Sequence, residues 1–263
     1  MHGLSLLPNY IICVTTQPPN PGRRIALSLP RRWIGDLRHL CRHIPIIPIE
    51  RRMQLSTVIA ARQRLANPPS WAAIFVKAYA ITAARHPVLR QAYCVYPWPH
   101  LYEANQSIAS VAVAREFDGE PAVFFGLIHA PDQQTLVKLT AQLNDFKTKS
   151  VEQIRPFARL IRYTRYPLPL RRILWWIGMN LSGRHRAKTI GTFAMTVIAG
   201  AGANLGRIIS PVATTLTYGP FEADGSVIVR ISFDHRVIDG LPAANALADL
   251  ECILLNEIVC ELS

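Results

Sequence analysis

One stretch near the C-terminus, Val227 to Gly240, constrains the chain more than any other. Val227, Val229, Ile231 and Phe233 alternate with Ile228, Arg230 and Ser232, the period-two pattern of a strand with one buried face. Asp239-Gly240 is a turn signal, and Gly240 suits a tight turn into a helix. Leu247, Leu250, Leu254, Ile258 and Leu262 then recur at helical spacing. The chain is thus committed to a strand, a short loop and a helix. His235 falls where the strand ends, with the carboxylate of Asp239 four residues on. Loops held between rigid elements are where chemistry concentrates. A lone histidine at an apolar strand end is more often structural, so its neighbours have to decide its role.

Half of the 263 residues are apolar and 17% are charged, enough to build a substantial core and too apolar for wholesale disorder. The net charge of +12 favours an anionic partner: nucleic acid, an acidic membrane surface or a phosphate-bearing small molecule. No zinc-finger spacing and no nucleic-acid motif accompanies the charge, which sets nucleic acid aside. The five cysteines, Cys13, Cys41, Cys94, Cys252 and Cys260, are odd in number and form no Cys-x-x-Cys pair. Free thiols in a reducing, cytoplasmic compartment are the expectation. The apolar run Leu4–Val14 is interrupted by Pro8 and lacks preceding basic residues, so it is a poor signal peptide. No run approaches the ~18 apolar residues of a spanning helix.

In chain order, residues 1–29 read as an N-terminal extension containing the Pro-rich stretch Gln17–Gly22. An amphipathic helix is expected over 30–43, an extended segment from Pro45 through Leu55, and a helix over 58–65. Ser70 caps a further helix with Trp71, Ile74, Phe75, Ala78 and Ile81 on one face. Segments 108–114 and 121–128 form a hairpin through Asp118-Gly119. Asp132 is expected to cap a helix with Leu136, Leu139, Leu143 and Phe146 inward. Interleaved helices and strands point to an α/β (α+β) sandwich, a mixed sheet flanked by helices. No linker divides the chain, so 30–263 is taken as one domain.

Asp234-His235-Arg236-Val237-Ile238-Asp239-Gly240 resembles the active-site motif of the 2-oxo acid dehydrogenase acyltransferases, the dihydrolipoamide acyltransferase family of the chloramphenicol acetyltransferase-like superfamily. Other stretches resemble the family in order. These are Arg42-His43-Ile44-Pro45, the helix ending His86-Pro87-Val88-Leu89, Gly191-Thr192-Phe193-Ala194-Met195-Thr196, and Ser210-Pro211-Val212-Ala213. Residues 30–150 and 189–263 are covered. The resemblance implies a chloramphenicol acetyltransferase-like, coenzyme A-dependent acyltransferase fold and activity. It implies acyl-CoA as a substrate, an acceptor not specified by the sequence, no metal, and a homotrimer or trimer-based assembly. In such a trimer the site lies between subunits, with histidine and hydroxyl contributed by different chains.

Acyl transfer develops an oxyanion and needs a base near the acceptor. The resemblance gives the base role to His235 and the oxyanion-donor role to Thr196, where the family has serine. It gives Asp239 a buried ion pair with an arginine, expected from the 30–52 region. Two departures stand out. No lipoyl or subunit-binding segment precedes the catalytic stretch in this sequence, which points to a lipoyl arm used in trans or to a different acceptor. The second is favoured. Residues 150–190 match nothing in the family and carry nine basic residues, from Arg155 to Lys188, around Trp175-Trp176. This composition suits an insertion packed on the core with solvated arginines, membrane-surface contact through 165–181, a lid over an acyl channel, or an arginine pocket for coenzyme A phosphates. A non-catalytic trimeric scaffold and a membrane-surface protein are the alternatives to an enzyme.

Overall fold

The computed structural model describes residues 22–203, 205–206 and 208–263. Most of the expected N-terminal extension, with Cys13, lies outside them. Helix α1 (Leu29–Cys41) has Pro30 in its first turn, where a missing backbone donor costs nothing, and buries Trp33, Leu37 and Cys41. Strand β1 (Ile46–Gln54), helix α2 (Ser56–Gln63) and helix α3 (Trp71–Arg85) come next. Ser70 caps α3 as expected, its Oγ accepting the Ala73 N–H at 3.2 Å. Strands β2 (Gln91–Cys94) and β3 (His100–Glu103) pair as a small ribbon. Strands β4 (Ile108–Phe117) and β5 (Glu120–His129) form the expected hairpin. Its two turn residues, Asp118 and Gly119, have φ of 51° and 76°, the left-handed pair of a primed turn that matches strand twist.

Helix α4 (Leu136–Thr148) corrects one expectation. Asp132 stands in a short 3-10 turn, Pro131–Gln133, and the cap is Thr135, which accepts the Lys138 N–H at 3.3 Å. A capping oxygen must sit one residue before the first helical turn, and Asp132 lies too far upstream. The unmatched region folds as three helices, α5 (Arg155–Thr164), α6 (Leu168–Asn180) and α7 (Gly183–Ile190). Strands β6 (Phe193–Met195), β7 (Thr214–Phe221) and β8 (Ser226–Asp234) complete the sheet, and helix α8 (Gly240–Ile253) runs into a π-helical segment, Leu254–Ile258, and a last turn.

The six-stranded sheet has the order β1-β8-β7-β6-β4-β5. β6 is parallel to both neighbours and the other pairs are antiparallel, so the sheet is mixed. Val227, Val229, Ile231 and Phe233 of β8 face a core built with α2, α3, α4 and α8. A second cluster joins α1, α5 and β5. There α5 wraps the sheet edge: Phe157 stacks on Phe124 at 4.9 Å, while Leu160 and Tyr163 reach over the opposite face towards Phe125. Covering an edge strand removes a site of unwanted strand pairing. Trp175 of α6 packs on Trp33 of α1 at 4.8 Å.

The unmatched region is therefore packed on the core, and two of its arginines are not solvated. Arg171 is 6% exposed and pairs with Asp36 of α1, itself 4% exposed. Its Nη2 donates to Oδ1 at 3.1 Å, and Nε lies 2.9 Å from Oδ2, an ion contact too bent to be a hydrogen bond. Arg171 Nη1 also donates to the Thr164 carbonyl at 3.2 Å. Arg186 is 4% exposed. No helix among the described residues is long and apolar enough to cross a membrane.

Removing one partner of a buried ion pair leaves a charge with no compensation, at a cost of about 3–5 kcal/mol. Arg171→Met is expected to destabilise the protein by that amount in urea titrations. The double variant Asp36→Leu/Arg171→Met is expected to recover most of the loss, because an apolar pair of similar volume is close to neutral.

Candidate active site

The loop after β8 is held from both sides. Asp234 N–H donates to Ala213 O at 2.8 Å and His235 N–H to Pro45 O at 3.0 Å. Asp234 O accepts the N–H groups of Val237 (2.9 Å) and Ile238 (3.1 Å), which closes the turn. The Asp234 carboxylate is 1% exposed and receives the Arg236 guanidinium through Nε (3.0 Å) and Nη2 (2.7 Å), with the Arg236 N–H as a third donor at 3.0 Å. Arg236 in turn lies over the Tyr93 ring, 4.6 Å from its centre. This arrangement fixes the backbone that carries His235.

The His235 side chain is 43% exposed and packs edge-on against Phe233. Its Nδ1 lies 3.3 Å from Asp239 Oδ1. A carboxylate at Nδ1 favours the proton on that nitrogen and leaves the Nε2 lone pair free to accept one. The arginine expected to pair with Asp239 is not there. Asp239 is 81% exposed and its one ion contact among the described residues is His235. It occupies the position before α8, on the solvent side of the loop, whereas Asp234 closes the strand ladder inside the fold. Asp234 is therefore the carboxylate that burial obliges to take an arginine. Gly240 also departs from expectation: its φ is not in the left-handed region, and a Cβ there would meet open space.

Thr196 follows β6, and its N–H donates to Leu216 O at 3.2 Å, which continues the parallel ladder. It is half-buried and lines an apolar cavity of about 80 Å³. Register separates it from His235. Phe193 pairs with Thr214 and Thr214 with Phe233, so β6 runs away from the end of the sheet at which β8 finishes. Five residues of strand and two strand spacings place the two residues roughly 16 Å apart along the strands and roughly 10 Å across them. His235 and Asp239 are brought together within one chain; Thr196 is not brought to them.

Beside Arg236 lies a cleft of about 490 Å³, where Arg172 and Arg186 of the basic segment meet side chains that sequence reasoning did not bring to them. Arg42, Arg172, Arg186, Arg236, His39 and His43 line it with Tyr93 and Trp176, and no carboxylate does. Arg186 donates to the carbonyls of Tyr93 and Pro211, both at 2.6 Å, and burial pushes its pKa down. Desolvation, with Arg172 and Arg42 adding to it, also holds the His39 pKa below its ordinary value. With four arginines and no carboxylate among its lining side chains, the cleft is electropositive. The sequence carried a signal for it: a run of arginines with no acid after Glu152. Ile173 and Trp176, which suited a membrane surface by composition, border this cleft.

Comparison with family models finds no match, and no curated protein matches the chain. Solved structures do. A probable dihydrolipoamide acetyltransferase from Listeria monocytogenes superposes with a TM-score of 0.63 at 16% identity, covering 90% of this chain and 96% of that one. The dihydrolipoamide acetyltransferase of Azotobacter vinelandii gives 0.63 at 14%, covering 97% and 98%. The truncated catalytic core of the 2-oxoacid dehydrogenase multienzyme complex from Thermoplasma acidophilum gives 0.63 at 16%, covering 89% and 99%. The chain has the fold of these catalytic cores, which bears out the fold expected from the His235 motif.

An electropositive cleft without acidic groups should bind a multivalent anion. Pyrophosphate is expected to bind in calorimetric titrations, more weakly as salt is raised. Arg42→Gln/Arg172→Gln is expected to weaken it by about tenfold, the loss of one or two charge-assisted hydrogen bonds. An unchanged affinity in the double variant would place the anion elsewhere.

Proposed function

We propose that the chain is a coenzyme A-dependent acyltransferase, with residues 30–263 as its catalytic domain, and that its site forms between copies of the chain. The observation that carries this reading is the loop after β8. On the fold of the acetyltransferase cores, it presents a half-exposed His235 whose Nδ1 lies 3.3 Å from the Asp239 carboxylate. In the Azotobacter vinelandii enzyme a serine, a histidine and an asparagine four positions after that histidine were investigated for their roles in the catalytic mechanism. His235 and Asp239 have that same spacing here.

The reaction can be built from these groups. His235 Nε2 takes the proton of the acceptor's thiol, hydroxyl or amine as that atom bonds to the thioester carbonyl carbon. The carbonyl oxygen becomes an oxyanion, and the Thr196 hydroxyl donates a hydrogen bond to it. The carbonyl re-forms, the carbon–sulfur bond breaks, and the coenzyme A sulfur receives the proton from the His235 imidazolium. In reverse, the same nitrogen deprotonates the coenzyme A thiol. The Asp239 carboxylate favours the imidazolium that both directions pass through. The phosphates of coenzyme A would lie in the basic cleft, where Arg42, Arg172 and Arg236 offer donors and positive charge.

Thr196 can reach the same reacting carbon only from a second copy, because register holds it far from His235 within one chain. Three copies in a ring, each giving His235 to the site shared with one neighbour and Thr196 to the site shared with the other, satisfy this. His235, Asp239 and Leu241 stand exposed on the single chain, as such a closure requires.

His235→Ala and Thr196→Val are each expected to lower acyl-CoA-dependent thiol release by 100-fold or more, on the order expected for a lost base or oxyanion donor. Mixed, unfolded together and refolded, they are expected to regain about a quarter of wild-type activity, since random rings contain intact sites that draw on one copy of each. Mixtures as inactive as the separate variants would place both groups in one chain.

A further inference from the structure

The cavity that Thr196 borders lies on the sheet face opposite the main core, and its floor is set by register. Thr215 of β7 pairs with Ala194 of β6, Ala194 with Ser110 of β4, and Ser110 with Leu127 of β5. Three adjacent strands thus present small side chains in one row, and all of these residues line the cavity. Over that floor the roof is apolar: Trp33 and Leu37 of α1, Leu160 and Tyr163 of α5, Trp175 and Met179 of α6. Small residues below and large ones above leave an apolar slot. Two wall groups, Trp33 Nε1 and Thr215 Oγ1, are buried without a hydrogen-bond partner among the described residues. Buried polar groups are ordinarily paired, so these two are exceptions in the packing around the slot.

Thr196 sits two residues beyond Ala194 on the same strand line, so its side chain is on the floor's face of the sheet. A carbonyl oxygen held by its hydroxyl would therefore have the slot immediately behind it. We infer that the slot between α1, α5 and α6 and the Ser110-Ala194-Thr215 row takes the apolar chain of the acyl group, and that it sets a preference for acyl groups longer than acetyl. This rests on the acyl-transfer reading for the placement of the thioester at Thr196. A cavity of about 80 Å³ has room for a short run of methylenes. The substrate class is then an acyl thioester with a short-to-medium aliphatic chain. The region 150–190 supplies four of the six roof residues named. Covering the slot is a positive reason for its presence.

The test reads binding, apart from turnover. S-methyl- and S-hexyl-coenzyme A, thioethers that cannot be cleaved, are titrated into wild-type protein and into His235→Ala by calorimetry. Hexyl is expected to bind about tenfold or more tightly than methyl in both, a modest discrimination for several methylenes in an apolar pocket. Ala194→Leu fills the floor and is expected to abolish the difference. Ser110→Val, a milder filling on a strand that tolerates β-branched residues, is expected to reduce it even if Ala194→Leu fails to fold. Equal affinity of the two thioethers for wild-type protein overturns the inference, as does a hexyl preference that survives filling. If His235→Ala keeps both activity and the hexyl preference, the acyl-transfer mechanism fails and the slot stands. If His235→Ala loses activity while the two affinities are equal, the slot fails and the mechanism stands.

Discussion

The register of β8 between β1 and β7 is the constraint on which the rest depends. Val227, Val229, Ile231 and Phe233 bury one face of that strand almost completely. At about 1.5–3 kcal/mol each, a one-residue slip that turned all four outward would forfeit about 6–12 kcal/mol. That is comparable to the whole net stability of a typical domain, so the register has no competitor. With β8 fixed, His235 is delivered to one end of the sheet. Because β6 runs against β8, the same pairing sends Thr196 towards the other end. The geometry that makes a single chain an incomplete site is thus a direct consequence of the burial that makes it fold.

The second consequence is on the other face of the sheet. α1, α5 and α6 cover it, and the covering is fastened by one buried charge pair, Asp36–Arg171, and by the Trp33–Trp175 contact. The pair contributes little net stability, since desolvation offsets attraction, but it is costly to break. It therefore acts on position: α6 can settle on α1 only where the two charges meet. The same placement exposes Arg172, one residue on, to the basic cleft. A segment with nine basic residues is in this way divided between structure and surface by the alternation of one helix.

Two compartments of opposite character result. The cleft at the His235 end is large and cationic; the slot at the Thr196 end is small and mostly apolar. Leu40 and Met179 line both, so the two share a wall. On the proposed reading the cleft of one copy and the slot of its neighbour would together take a thioester, which carries phosphates at one end and a hydrocarbon chain at the other. Electrostatic attraction would capture the first end and desolvation would select the second, and the two effects are separately adjustable.

The sequence by itself determined a good deal. Period-two burial located β8, helical spacing located α8, Ser70 located a cap, and Asp118-Gly119 located the hairpin turn. These are local effects, decided within a few residues by alternation, capping and turn chemistry. The same locality made His235 and Asp239 legible as a pair, since four residues across one loop keep them within reach. Tertiary structure alone decided what depends on residues far apart in the chain. It gave the arginine partner to Asp234 instead of Asp239, because only the strand pairing shows which carboxylate is enclosed. It put Thr135 in the place of Asp132, buried Arg171 and Arg186 out of a run that reads as uniformly basic, and lined up Ser110, Ala194 and Thr215 under a roof drawn from three helices. Burial is a property of the assembled fold, and a row across strands exists only once register does; neither is written in neighbouring residues.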